Sequence, residues 1–166
     1  MCHNGHMEKT LTDTEVEKII RAYLPQVVHM SLGTSADDKP WVCEVHYAYD
    51  EDLNLYFCSL PTTRHCADIA VNPQVAGNIV TQHFLNQMPR GVYFEGTAEL
   101  IEDTAPTSIA AQATMARFGY SEAKIAADME SGRRFYKITP TSYYLFDTYV
   151  SRPPRKYQLT WPRTAA

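Results

Sequence analysis

The chain has 166 residues, a mass of 18.9 kDa and a formal net charge of −4. With 45% hydrophobic and 20% charged residues it has the make-up of a single globular domain, which excludes a disordered chain, a collagen-like fibre and a disulfide scaffold. No apolar run approaches the roughly 18 residues of a membrane span, no basic-then-apolar leader opens the chain, and a pI near 5.8 argues against non-specific nucleic-acid binding.

Residues 1–11, with Cys2, His3 and His6 close together, read as a flexible N-terminus. Thr12 and Glu15 have the spacing of a capping box, and Val16, Ile19, Ile20, Tyr23 and Leu24 recur at helical period, so a helix is expected over 13–24. Pro25 stops it. Strands follow at 26–34, 41–49 and 53–59, separated by the turns 36–40 and 50–52, and read as an antiparallel meander. A helix opens at Pro61-Thr62-Thr63-Arg64 and ends at Asn72-Pro73. The next strands are 74–82 and 91–101, with Gly96 marking a bulge. Two helices, 106–117 and 121–130, are divided by Gly119. The strand 134–147 bends at Thr139-Pro140, and a short strand candidate, 157–161, lies in the tail. Consecutive strands imply antiparallel pairing, and six or so strands with few helices point to a mainly β (α+β) fold, a small closed or half-closed barrel with peripheral helices.

The tail, 151–166, carries Arg152, Arg155, Lys156 and Arg163 without an acid. It reads either as a solubilising end or as a segment that docks near acidic surface or a bound phosphate. Cys2, Cys43, Cys58 and Cys66 match no zinc spacing, and reduced thiols in a cytoplasmic protein are expected. Cys43 and Cys58 are expected near each other on paired strands as inert buried thiols. His29 and His46 fall on strands, Met115 and Phe118 read as core, and Tyr143 to Phe146 read as a buried strand.

The stretch 53–73 carries the chemistry. A strand ends at Ser59 and a helix starts a few residues later, with Thr62, Thr63, Arg64 and His65 at its N-terminus. A helix start offers free N–H groups and the positive end of a dipole, and Arg adds a planar fork that fits phosphate. The bland alternative is a capped surface helix with an incidental Arg.

The order of these motifs resembles the pyridoxamine-phosphate-oxidase-like family of FMN-binding split barrels. The resemblance rests on Tyr56-Phe57-Cys58-Ser59, Thr63-Arg64-His65, Ile69 and Asn72-Pro73, followed by Arg90-Gly91-Val92-Tyr93-Phe94-Glu95-Gly96. It covers roughly residues 15–150 and is strongest for a small bacterial subgroup of about this length. It implies a six-stranded antiparallel split β-barrel that forms a homodimer, with FMN in a groove between subunits. The phosphate would sit on Ser59, Thr63, Arg64 and His65, and the ring would lie along Trp41, Val42 and Cys43. Arg90 and Trp161 of a second subunit would close the site. The implied activity is flavin-dependent oxidoreduction of a small molecule with NAD(P)H as an electron donor, and no nucleic acid or membrane is involved. Two departures stand out. His65 replaces a Lys that often follows the phosphate Arg, and the chain lacks the Trp-Arg-x-x-Arg-Leu-x-Pro-like ending of the true oxidases. Relatives of the same fold hold deazaflavin or haem, and haem would give His29, His46 or His83 a ligand role. A flavin binder without turnover and an interaction module with an empty groove are the remaining alternatives.

Overall fold

The structure, a computed structural model, describes residues 10–81, 84–150 and 155–162. The capping box closes in both directions: the Glu15 amide donates to Thr12 Oγ1 at 3.3 Å, and the Thr12 amide to Glu15 Oε2 at 2.9 Å. Helix α1 therefore begins at Asp13 and runs to Tyr23, before Pro25 tightens the chain into one 3-10 turn, Leu24–Gln26. β1 (His29–Ala36) and β2 (Lys39–His46) form a hairpin across Asp37 and Asp38. Both turn residues have positive φ, 51° and 58°, as a two-residue type I′ turn needs. Next come β3 (Ala48–Tyr49), β4 (Leu55–Ser59), α2 (Arg64–Val71), β5 (Gln74–Ile79) and β6 (Arg90–Leu100). α3 (Ile109–Phe118), α4 (Glu122–Glu130), β7 (Arg134–Asp147) and β8 (Lys156–Thr160) complete the chain.

The structure corrects the continuous strand expected over 41–49. The strand breaks at Tyr47: β2 pairs with β1 as far as His46, whereas β3 pairs with β4. The Tyr47 ring is buried, and its hydroxyl donates to Leu24 O at 2.8 Å. That bond anchors Tyr47 where the chain passes from one set of strand partners to another. The sheet order is β2-β1-β5-β6-β7-β4-β3, with β8 on β7, so the sheet begins and ends on one stretch of chain and curls into a barrel. The same break corrects the expected Cys43–Cys58 neighbourhood. Cys43 lies opposite Leu32 on β1, and Cys58 lies opposite Phe135 on β7.

The barrel interior is filled from several elements at once, by Ile20 and Tyr23 of α1, Leu32 of β1, Phe57 of β4, Phe94 of β6 and Tyr143 and Leu145 of β7. Burying each such side chain stabilises the fold by about 1.5–3 kcal/mol. A smaller cluster of Ala110, Ala111 and Ile125 fixes α3 and α4 onto Tyr56 and Phe135 on the outside of the sheet. Met115 and Phe118 pack on its margin.

The bulge expected at Gly96 and the bend expected at Thr139-Pro140 are one feature. Register shifts between Glu95↔Ser142 and Gly96↔Pro140, which leaves Thr141 as the extra residue. A Cβ on Gly96 would lie 2.3 Å from Thr139 O, so only glycine allows the close approach. Thr141 O accepts from the Trp161 amide at 2.8 Å. The described part of the tail is thus sheet, with Tyr157, Leu159 and Trp161 buried and Lys156 facing out. Of the tail cations, Arg152 and Arg163 lie outside the described residues, as do Cys2, His3, His6 and His83. No described helix is long and apolar enough to cross a membrane.

Candidate functional site

β4 ends at Ser59, and the chain turns through Leu60 to Thr63, where the Thr63 amide donates to Leu60 O at 3.0 Å. Thr63 has the extended backbone of an N-cap (φ −70°, ψ 150°), yet its hydroxyl accepts nothing from the first turn of α2. It donates instead to Leu60 O at 2.8 Å. The positive end of α2 is therefore not closed by its own cap.

Three polar atoms meet beside it. His65 Nε2 lies 2.9 Å from Ser59 Oγ and 3.2 Å from Thr63 Oγ1, and the two hydroxyls are 3.2 Å apart. Contact with the sulfurs of Cys43, and then of Cys66, raises the His65 imidazole to about 9 against the opposing effect of burial. The histidine is then a cation at neutral pH, as the lysine it replaces would be. Burial opposes ionisation of the Cys66 thiol, but hydrogen bonds with His65, Thr63 and Tyr136 outweigh it and lower its pKa. Cys58 behaves in the opposite way: burial, helped by Asp128, pushes its thiol up to about 11. None of Cys43, Cys58 and Cys66 is in a disulfide.

Arg64 completes the cradle. Its guanidinium lies over the Trp41 ring, 4.5 Å from the centroid, and its Nε is 3.8 Å from Asp68 Oδ2. Asp68 also accepts from Thr34 Oγ1 at 2.8 Å, so its negative charge is shared. The Arg64 side chain keeps 46% of its surface exposed, and Trp41 keeps 39%. A positive, partly open site of guanidinium, imidazolium, two hydroxyls and a helix start is suited to a phosphate group.

Of the residues expected at the site, Ser59, Thr63, Arg64, His65, Trp41 and Cys43 come together. Val42 adjoins them on β2 and is 64% exposed. Arg90 and Trp161, expected from a second subunit, lie apart from the cradle of their own chain. Arg90 Nε stands 3.5 Å from Asp147 Oδ2, with the guanidinium over Tyr23. The Trp161 indole is buried, donates to Asp52 O at 2.7 Å and packs edge-on against Tyr143. Both are tied to the α1 end of their own barrel. Sequence reasoning missed Cys66, Tyr136 and Asp68. Asp68 follows Arg64 by four residues and Cys66 follows Thr63 by three, so helical period was the available signal. Tyr136 had none, because it arrives from β7.

Two further concavities lie away from the cradle. One, of about 250 Å3, is lined by His46, Tyr56, Cys58, Phe118, Lys124 and Arg133. The other, of about 470 Å3, includes His29, Ser31, Glu44, Asn78 and Thr81. Between them stand His29 and His46, directly opposite each other on β1 and β2. Among the described residues, no group of three His, Cys, Asp or Glu side chains is placed to hold one metal ion.

Comparison with known proteins agrees with this geometry. The pyridoxamine 5'-phosphate oxidase family model matches residues 16–147. A UPF0306 protein from Photorhabdus laumondii is 32% identical over 90 residues. That match covers 54% of this chain and 63% of the relative, so the chain spans less than two thirds of the relative's length. A haem-binding protein from Mycobacterium smegmatis superposes with a TM-score of 0.67 at 17% identity, over 92% of this chain and 59% of that one. The General Stress Protein 26 from Bacillus anthracis gives 0.60 at 19% identity, over 87% and 98%. At such identities the two structures share the split-barrel fold with this chain.

Proposed function

The chain belongs to the pyridoxamine 5'-phosphate oxidase family, and from that premise we propose that it binds FMN and acts as a flavin-dependent oxidoreductase on a small molecule. The observation that carries this reading is the open start of α2, where His65, Ser59 and Thr63 converge beside Arg64. Ser59 and Thr63 would hold the phosphate oxygens by their hydroxyls, and Arg64 and His65 would balance the charge. The flavin, when bound, supplies the hydride and electron chemistry. The protein's share is binding and orientation. Trp41, Val42 and Cys43 on the exposed β2 offer a surface and backbone groups for the ring. A second copy laid against β2 would exclude water from it, which is the reason to expect a homodimer. Arg90 and Trp161 of that second copy would close the site. NAD(P)H is the proposed electron donor and the cytoplasm the proposed compartment.

Haem, held by relatives of this fold, is the alternative reading, and in it His29, His46 or His83 would supply a ligand.

The test is the visible spectrum of the purified chain before and after addition of FMN and desalting. Two flavin bands that survive desalting, and that Arg64→Ala loses, support the proposal. A single deazaflavin band, a sharp haem band or a colourless protein overturns it.

A further inference from the structure

We propose that His29 and His46 form a two-imidazole site for a divalent transition-metal ion that prefers right-angled coordination, Cu2+ first and Ni2+ second. The site is separate from the α2 cradle and does not depend on the flavin reading.

The two residues are a directly opposed cross-strand pair, and both are exposed. Their Nε2 atoms are 2.9 Å apart, with the ring centroids at 4.6 Å and the planes 41° apart. Two nitrogens each about 2.0–2.1 Å from one ion, at a right angle, lie about 2.9 Å from each other. At the tetrahedral angle preferred by zinc they would lie about 3.3 Å apart. The observed spacing therefore matches a tetragonal or octahedral ion, and imidazole pairs favour Cu2+ over the other divalent first-row metals.

The protonation states also fit. At 2.9 Å one ring donates its Nε2 proton to the lone pair of the other. When an ion binds, the donor ring holds its proton on Nδ1 instead of Nε2. Two neutral imidazoles then offer two lone pairs, with no net proton lost. The scaffold limits the search for this geometry. His46 stacks on Phe118 at 5.5 Å, and Phe118 stacks on Tyr120 at 5.4 Å, so one ligand is braced by α3 and the residues after it.

The surroundings favour positive charge on the β1/β2 side. Glu44, two residues before His46 on the same face of β2, lines the groove of about 470 Å3 beside His29. Its carboxylate is 3.4 Å from Ser31 Oγ. It is not part of a three-ligand set, but it places a negative charge in the groove as an outer partner. On the other side of His46, Lys124 is paired with Asp128. Water or a small oxygen or nitrogen ligand would complete the ion's shell.

The experiment is a Cu2+ titration of the full-length chain carrying Cys2→Ser, His3→Ala and His6→Ala, which removes the cysteine and histidines grouped near the start of the sequence. Binding is followed by electron paramagnetic resonance. One equivalent of Cu2+ coordinated by two imidazole nitrogens is expected. His29→Ala and His46→Ala should each weaken binding at least about tenfold and leave one nitrogen. Circular dichroism of these surface variants should match that of the parent. Unchanged Cu2+ affinity in the double variant His29→Ala/His46→Ala would overturn the proposal, and so would a parent spectrum showing a single nitrogen.

Discussion

The molecule places an arginine over an aromatic ring in two very different settings. At one end of α3, Arg117 lies over Tyr47 and Tyr49 and donates to the carbonyls of Leu24, Pro25 and Val27. At the start of α2, Arg64 lies over Trp41, bonds to no backbone carbonyl and reaches its nearest acid at 3.8 Å. The first arginine is consumed by the fold: it gathers the exposed carbonyls of the 3-10 turn and ties them to α3. The second has the same residue chemistry with its donors still to be used. Composition cannot separate these roles, but the number of internal acceptors around each guanidinium does. Arg90 stands between the two: it lies near Asp147 and over Tyr23, but its buried Nε has no hydrogen-bond partner.

The largest effect should come from breaking the member bound to carbonyls. Arg117→Ala leaves three carbonyls without their charged donor and should cost about 3 kcal/mol of stability. Denaturant unfolding would measure this, and FMN affinity of the folded fraction should stay as it was. Arg64→Ala should do the reverse. It should weaken FMN binding by about 1.5–3 kcal/mol while changing stability by less than about 1 kcal/mol. A flavin titration paired with an unfolding curve separates the two, and equal losses in both would erase the contrast.

His65 sharpens the comparison through pH. Its pKa is raised to about 9 in the folded chain, above the unfolded value of about 6.5. The stability it contributes is therefore fully present below about 6.5 and lost as the pH rises through about 9. Unfolding midpoints across the alkaline range should fall in the parent and stay flatter in His65→Gln, with FMN affinity following the same trend. The smallest effect belongs to Trp41→Leu, which keeps apolar bulk and removes the ring face under Arg64. It should reduce FMN affinity by about 0.5–1 kcal/mol, and calorimetric titration can resolve a change of that size.

Much of the fold was legible in local signals. The Thr12/Glu15 box, the Pro25 stop, the Asn72-Pro73 stop and the Gly96 bulge each act within a few residues of chain, so sequence could place them. The break at Tyr47 was not legible, because residues 41–49 keep strand periodicity throughout. What divides them is a bond from Tyr47 to Leu24 and a change of partner from β1 to β4. For the same reason the anion site was half visible. Ser59, Thr63, Arg64 and His65 announce a helix start, while the sulfurs that charge His65 come from β2 and from the third residue of α2. The surroundings of Arg90 and Trp161 within their own barrel were not legible either, because Asp147 and Asp52 O lie 57 and 109 residues away in sequence.

β2 is the end strand of the sheet order, with β1 as its single strand partner. A strand in that position could template the addition of further chains into fibrous aggregates. Here Pro40 withholds one backbone donor, Lys39 precedes it, and the turn before them carries two carboxylates, Asp37 and Asp38. Glu44 adds a charge farther along. β2 can thus offer its face to a flat ligand while its rim discourages edgewise growth, which favours a finite assembly at high concentration over a fibre.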